Sequence, residues 1–437
     1  MKIAVWHNLP SGGGKRALFD HVRGLVERGH TVKSWCPSTA DQTYLPLSQL
    51  IEERVLPFAS KSRVSKNRLS EIAYPYRDVS EKLDEMDRHC RKCAEEINAG
   101  GFDLLFANTC FLFHVSCIGR YVNIPKLLYL QEPCRQLYEA RPQEAFRCLS
   151  VPDAPQLPWI ALPKPESPQF LKSIRRFPRD FMEVQSWRLQ AREEWLGAKA
   201  FDAILVNSFF SRESVLRTYG LDAKVCYLGI DTGRFINQHR ARENFVTGLG
   251  AISFHKNVKF VLDAMAAVRT PRPKLLWVGN MANPIYFEEM KQEGKRLGID
   301  LEIRVRISDD ELVDILNRAT MMLYAPRLEP FGFAPLEANA CGTPVVAVAE
   351  GGIRETIVHR ENGLLVDAQP QAMAAAIEQL MSDQPYARQL GENGANLTIK
   401  RWSLDAAMDR LQAAFTEVLA LRRGVKSTSE SGTVSMH

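Results

Sequence analysis

The sequence predicts an α/β chain with more than one α/β domain, and three observations predict it. The first is a strand–loop–helix–strand crossover from Met321 to Val348, MMLYAPRLEPFGFAPLEANACGTPVVAV. An apolar run, Met321 to Ala325, is stopped by Pro326. Pro335 stands where a first helical position would put it, and Gly342 stands where a helix would end. The β-branched run Val345 to Val348 completes the unit. The second observation is the opening segment, in which Lys2 to Trp6 reads as a strand and Asn8 to Gly14 as a glycine loop. A helix to Arg28 follows, closed by Gly29, and then a second strand, Thr31 to Cys36. The third is a new α/β start at Phe245 to Ile252, with a turn at Ser253 to Asn257 and a helix to Val268. A chain of 437 residues is long enough for two or three cores.

Composition narrows the class. Apolar content of 45%, charged content of 24% and a net charge of +5 describe an ordinary globular chain that tolerates anionic ligands without demanding nucleic acid. No apolar run reaches the roughly 18 residues of a membrane span, and the opening strand is too short for a signal-peptide core, so a cytoplasmic protein is expected. The nine cysteines are scattered through apolar runs, the usage of a reducing compartment. Cys90 and Cys93, beside His89, have metal spacing. No second pair is placed to complete a site, and Val79 to Asn98 reads as one charged amphipathic helix, so no metal and no cofactor are expected.

The Met321–Val348 crossover also carries the chemistry. Ligands bind outside the carboxyl ends of the strands in such units. The loop between strand and helix offers the backbone amides of Phe331, Gly332 and Phe333 at a helix N-terminus, where orphan N–H groups and the dipole favour an anion such as a pyrophosphate. Glu329 and Glu337 flank those amides. A carboxylate beside an anion site makes sense when the ligand also carries hydroxyl pairs, which charged acceptors bind strongly. Glu337 is thereby expected on a ribose and Glu329 on a sugar. The residues alone leave open a plain βαβ unit with one loop glutamate and one helix-dipole glutamate.

The contiguous string Glu329-Pro-Phe-Gly-Phe-Ala-Pro-Leu-Glu337, then Ala340 to Val346, Gly351 to Glu355 and Glu361 to Val366, resembles the E-x7-E region of family 4 retaining glycosyltransferases. The resemblance implies the GT-B fold, two Rossmann-like doubly wound parallel-sheet domains facing across a cleft. It also implies metal-independent transfer of a sugar from a nucleotide donor with retention. In the family a Lys and an Arg after the first strand of the second domain clamp the diphosphate; Lys256 matches the Lys, and Ala251 stands at the Arg position. The nucleobase is expected on backbone near Ile307. Ser308-Asp309-Asp310-Glu311 then reads as a capping box, and no Asp-x-Asp metal motif occurs.

In the first half, the loop Gly12-Gly13-Gly14 lacks the G-x-G-x-x-G spacing, and Arg16 stands where a P-loop needs Ser or Thr. Two readings remain: a backbone that approaches a phosphate or sugar closely, or a turn without a ligand. The resemblance places the loop at the donor diphosphate. Gln131-Glu-Pro-Cys-Arg-Gln-Leu-Tyr-Glu139 resembles the His-Glu-Pro-Pro-Arg-x-Leu-Tyr motif of a mannosyltransferase-like branch. Gln131 replaces a His thought to act near the sugar's reacting face, and Cys134 replaces Pro. Glu132 and Arg135 are acceptor-side candidates or a surface ion pair. Residues 40–78 read as polar and irregular. Residues 141–180, dense in proline with Trp159, Phe170 and three arginines, read as a long loop or lid. Such a loop either packs on its parent domain or makes peripheral contact with an anionic membrane.

The expected organisation is an acceptor-side domain over residues 1–240, a nucleotide-sugar domain over 241–401, a helix returning to the first domain over 402–423, and a disordered tail over 424–437. The expected function is a glycosyltransferase of envelope or polysaccharide synthesis. It would use a nucleotide-sugar donor, with GDP-mannose favoured by the branch, and a glycan or lipid-linked acceptor, with no nucleic acid partner. A nucleotide-sugar 2-epimerase of the same fold, and a silent nucleotide-sugar-binding homologue suggested by Ala251 and Gln131, are the alternatives.

Overall fold

A computed structural model describes residues 1–59, 67–140 and 170–430. The chain divides into two compact units. The first comprises Met1–Val206, Arg212–Val225 and the chain from Gln412 onward; the second comprises Asn207–Ser211 and Cys226–Leu411. Among the described residues no helix is long and apolar enough to cross a membrane.

The first unit is built on β1 (Lys2–Asn8), α1 (Gly13–Glu27), β2 (Thr31–Pro37), β3 (Glu52–Leu56), α2 (Arg68–Ala99), β4 (Leu104–Cys110) and β5 (Lys126–Tyr129). It continues through α3 (Phe170–Lys199), β6 (Ala203–Val206), α4 (Phe209–Tyr219) and β7 (Lys224–Val225). The seven strands pair in parallel in the order β3-β2-β1-β4-β5-β6-β7, a doubly wound sheet whose order reverses between β1 and β4. Strand alternation gives one face to Trp6 and Trp35, which are buried. Trp35 meets Phe102 edge-on at 5.3 Å, and the Trp6 indole N–H donates to His89 Nε2 at 3.2 Å. Cys90 and Cys93 are fully buried in the same core, so the Cys-x-x-Cys pair serves packing.

Three local expectations change. Residues 40–78, expected to be irregular, hold a 3₁₀ turn at Leu47–Gln49, the strand β3 and the start of α2. The strand Glu-Glu-Arg-Val-Leu carries charges because it is an edge, and it exists because it pairs in register with β2, Trp35 opposite Arg54. Asn67 caps α2 by accepting from the Leu69 amide at 2.8 Å, so the helix starts at Arg68, well before Val79, and carries Pro75 inside it. Likewise α3 begins at Phe170 and runs through Pro178, where a loop to residue 180 was expected. The expected lid over residues 141–169 lies outside the described residues.

The second unit follows the same plan: β8 (Glu243–Leu249), α5 (Val258–Ala267), β9 (Lys274–Gly279), α6 (Pro284–Arg296), β10 (Leu301–Val305), α7 (Asp309–Arg318) and β11 (Ala319–Tyr324). Then come α8 (Phe333–Ala340), β12 (Val345–Val348), α9 (Ile353–Thr356), β13 (Gly363–Val366), α10 (Pro370–Ser382) and α11 (Gln384–Trp402). The parallel order β10-β9-β8-β11-β12-β13 reverses between β8 and β11. Ser308 caps α7, accepting from the Glu311 amide at 3.1 Å. α8 starts two residues ahead of Pro335 and ends at Ala340, two residues before Gly342, whose positive φ of 71° lets the Gly342 and Thr343 amides bond back to Asn339 and Ala338.

The last helix, α12 (Leu404–Glu430), continues past Gly424, where the sequence suggested a disordered tail. From Gln412 on it belongs to the first unit, with Gln412 bonded to His30 at 2.8 Å and Phe415 against Phe106 at 5.3 Å.

One arginine ties two helix ends of the second unit together. Arg242 donates to the carbonyls of Leu316 and Asn317 at the end of α7, to those of Cys341 and Gly342 after α8, and to Thr343 Oγ1. These carbonyls are the orphan acceptors of helix C-termini, and a cation there also opposes the negative dipole ends. Arg242→Met should lower the stability of the second unit by about 3 kcal/mol, the cost of leaving charge-assisted acceptors unpaired; denaturant unfolding of the full chain measures it.

Candidate functional site

The reversal between β8 and β11 opens a crevice at the carboxyl edge of the second sheet, and the loops after those two strands meet in it. The β8 loop supplies Lys256 and the β11 loop supplies Glu329. The Lys256 Nζ lies 2.6 Å from Glu329 Oε2, with side chains 26% and 21% exposed, so the pair is sheltered but reachable. Asn257, held at φ 55°, ties the loops together by donating from its amide to the Ala325 carbonyl at 3.1 Å.

The backbone around Glu329 is fixed by glycines from the loop after β12. The Gly352 amide donates to the Glu329 carbonyl at 2.8 Å. A Cβ on Gly351 would lie 2.4 Å from the Glu329 carbonyl oxygen, and one on Gly352 would lie 2.1 Å from that of Pro330. Only glycine permits that approach. Phe331 anchors the loop from the other side, buried edge-on to Trp402 at 5.7 Å and to Phe333 at 5.4 Å. Gly332, at φ 94°, then turns the chain into α8, whose N-terminus has no side-chain cap. The amides of Phe331 to Phe333 thus stand at an uncapped helix end beside Lys256 and Glu329. Glu337 lies inside the first turns of α8, 3% exposed.

Tyr324, the last residue of β11, is buried near the two acids. Burial, together with the charges of Glu329 and Glu337, holds its phenol proton well above the ordinary range. The sequence hinted at it only as the one hydroxyl-bearing aromatic of an otherwise aliphatic end, Met321 to Tyr324. Ile307 follows β10 at its carboxyl end, packed against the buried cluster of Phe245, Leu276, Val278, Ile315 and Ala319 and separated from β11 by β8 and β9. Arg327 is engaged with Glu350 at 2.9 Å and Arg354 with the Gly351 carbonyl at 3.2 Å.

In the first unit the glycine loop and Gln131 come together. A Cβ on Gly14 would sit 2.9 Å from Gln131 Nε2, so the loop after β1 and the segment after β5 share one corner of the carboxyl edge. Gly12, at φ 143°, has open space where a side chain would go. Glu132 and Arg135 pair with each other at 2.6 Å. Behind the loop, His7 Nε2 and Glu53 Oε1 meet at 2.9 Å with side chains 0% and 1% exposed, and Cys36 donates to the same oxygen at 3.7 Å. Among the described residues these three form a group whose donor atoms lie within 4.8 Å and could surround a cation. The ammonium of Lys15, fully buried beside them, opposes a dication. Burial lowers His7 and Lys15. Against the upward pull of burial, the His7 hydrogen bond and the Lys15 charge hold Glu53 below its ordinary value. The cluster accordingly reads as an internal charge pair, and no metal is assigned to it.

A second buried acid escaped the sequence reading. Glu194 of α3 accepts from Gln190 at 2.8 Å and from the Tyr219 hydroxyl at 3.2 Å, and it is also hydrogen-bonded to Tyr138. Tyr138 belongs to the turn that carries Glu132 and Arg135; it stacks edge-on with Tyr219 at 5.5 Å and donates to the Ala191 carbonyl. Burial pushes the Glu194 carboxyl up to about 8.

Two doubly wound units, the second with a lysine, two acids and a helix N-terminus at its switch point, define the class: a GT-B glycosyltransferase fold. A solved structure shares it: the Anabaena HepE protein in complex with UDP superimposes with a TM-score of 0.66 over 95% of this chain and 100% of that one, at 18% identity. The model of the family "Glycosyl transferases group 1" matches residues 230–397. It is similar to the human alpha-1,3/1,6-mannosyltransferase ALG2, 25% identical over 314 residues that make up 66% of this chain and 71% of the relative. It is also similar to the Xenopus laevis GDP-Man:Man(3)GlcNAc(2)-PP-Dol alpha-1,2-mannosyltransferase, 28% identical over 230 residues, 48% of this chain and 47% of that one. Across the curated relatives the matched part spans from 27% to 71% of their own length.

The Glu194 carboxyl yields a signed prediction. Its folded-state value is raised above the unfolded one, so the folded chain retains a proton the unfolded chain has lost between the ordinary carboxylate range and about pH 8. Stability should fall across that window, by at most about 1.4 kcal/mol per pH unit. Glu194→Gln should flatten this slope, as measured by urea unfolding at stepped pH.

Proposed function

We propose that the protein transfers a sugar, with retention of anomeric configuration and without a metal, from a nucleotide-sugar donor to a glycan or lipid-linked acceptor. One observation carries the reading: Lys256 and Glu329 meet at 2.6 Å beside the uncapped N-terminus of α8. A donor diphosphate fits that corner, its charge taken by Lys256, by the Phe331–Phe333 amides and by the helix dipole. Glu337 accepts from ribose hydroxyls and Glu329 from those of the sugar. The names of the mannosyltransferase relatives support mannose, and the Xenopus relative supports a GDP-linked donor and a lipid-linked acceptor.

The chemistry follows from positioning and charge. The bond from the anomeric carbon to the diphosphate oxygen breaks while the acceptor oxygen bonds the same face of that carbon. The acceptor proton passes to the departing phosphate, and the growing negative charge is met by donors already in place. Gln131, near the Gly12–Gly14 loop, can hydrogen-bond the sugar but cannot carry the proton. Ala251, in place of the family's second cation, removes about 1.5–3 kcal/mol of charge-assisted binding. Those two residues favour a second reading, a silent nucleotide-sugar binder, which would bind donor and release no product.

Calorimetry with a panel of nucleotide sugars, followed by transfer and acceptor-independent hydrolysis assays, tests the proposal. Glu337→Ala should weaken nucleotide affinity, roughly tenfold for a lost bond to a charged acceptor. Glu329→Ala should damage sugar selectivity or turnover more than nucleotide binding. Unchanged affinity and rate in both variants would remove the assignment. A chelator should leave transfer intact, and its abolition would overturn metal independence.

A further inference from the structure

We propose that Glu355 is a positioning residue that fixes the sugar-facing acid Glu329 through the backbone behind it. The inference rests on the donor site argued above and deepens it. Glu355 lies on α9, a single helical turn that follows the Gly351–Gly352 pair backing Glu329. Its carboxylate takes three donors. Oε1 accepts from the Phe210 amide at 3.0 Å, and Oε2 from the Phe209 amide at 2.9 Å and the Tyr227 hydroxyl at 2.8 Å. All of these residues belong to the second unit. Phe209 and Phe210 open α4, where Ser208 already accepts from the Ser211 amide at 3.0 Å. The helix therefore has a cap of its own, and Glu355 adds a second one that reaches in from the donor loop.

A short relay of backbone bonds carries that anchor to Glu329. The Glu355 amide donates to the Gly352 carbonyl at 3.0 Å, and the Gly352 amide to the Glu329 carbonyl at 2.8 Å. One turn of helix has no cooperative stability of its own, so the glycine pair stays where the Glu355 carboxylate is tied. Side chains repeat the connection. Tyr227 meets Trp402 edge-on at 5.0 Å, and Trp402 meets Phe331, the anchor of the Glu329 loop, at 5.7 Å. One cluster thus grips Glu329 from behind and from the flank. The nucleotide side is fastened elsewhere. Lys256 precedes Asn257, whose amide bonds the Ala325 carbonyl, and Glu337 lies within α8, where Asn339 bonds the Thr343 and Asn362 carbonyls. Loosening Glu355 reaches the sugar before it reaches the nucleotide.

Calorimetry on the full chain with GDP, UDP, GDP-mannose and UDP-glucose tests this in wild type, Glu355→Gln, Glu329→Ala and the double variant. Ser208→Ala serves as a control, and a thermal melt confirms that each variant is folded. In Glu355→Gln the side-chain amide offers oxygen to one side only, so its –NH2 faces a main-chain N–H in either orientation. That variant should weaken the preferred nucleotide sugar about tenfold, what one bond to a charged acceptor is worth, and its bare diphosphate by a smaller factor. In the Glu329→Ala background the same substitution should change little, since the group being positioned is gone. Ser208→Ala removes a cap from the same helix without touching the glycine pair; it should lower the melting temperature and leave both affinities alone. Equal losses for sugar and diphosphate, an undiminished loss beside Glu329→Ala, a matching loss in Ser208→Ala or no loss at all would make Glu355 a helix cap alone and overturn the inference. A wild type that binds none of the four ligands would sink the donor reading, and this inference with it.

Discussion

A single 2.6 Å contact between Lys256 and Glu329 condenses what the second unit is built to do. The residues lie 73 positions apart, and only the adjacency of β8 and β11 in a parallel sheet brings their loops together. Parallel strands send their carboxyl ends to the same edge, and the reversal of strand order parts the loops on either side, so the crevice follows from topology. The pair is then kept in place by backbone: Gly351 and Gly352 lie against Glu329 and Pro330 more closely than any side chain would allow.

The same contact explains how charges of both signs share an anion site. A lysine and uncapped amides suit a diphosphate, while two acids suit hydroxyls. Within the site the opposite charges of Lys256 and Glu329 satisfy each other. The match of residues 230–397 to the glycosyl transferases group 1 model falls on the unit that carries these residues.

The first unit departs from the motif it resembles in the residues at its carboxyl edge. Gln131 lies against Gly14 where the family motif has an ionisable ring, and it is an amide that orients but does not titrate. Behind the loop, Lys15, His7 and Glu53 form a buried network with little solvent contact, which stiffens the base from which the glycines extend. Further along the sheet, Glu194 holds Tyr138, and with it the turn of Glu132 and Arg135, against α3 and α4.

By itself the sequence determined the elements whose signals are local. The glycines after β1, the Ser308 cap, the Gly342 stop and the run from Glu329 to Glu337 each act within a few residues, so spacing alone disclosed the crossover and the acids. The resemblance carried by that run supplied the fold as well. Tertiary structure decided what depends on a partner far along the chain. β3 is a strand because β2 offers it an edge, although its own residues are mostly charged. α2 and α3 run through Pro75 and Pro178, where local propensity argues for a break. The closing of Lys256 on Glu329 and the burial of Glu194 are contacts between elements, and no periodicity records them. Spacing fixes which groups a segment presents; the sheet order fixes which of them meet.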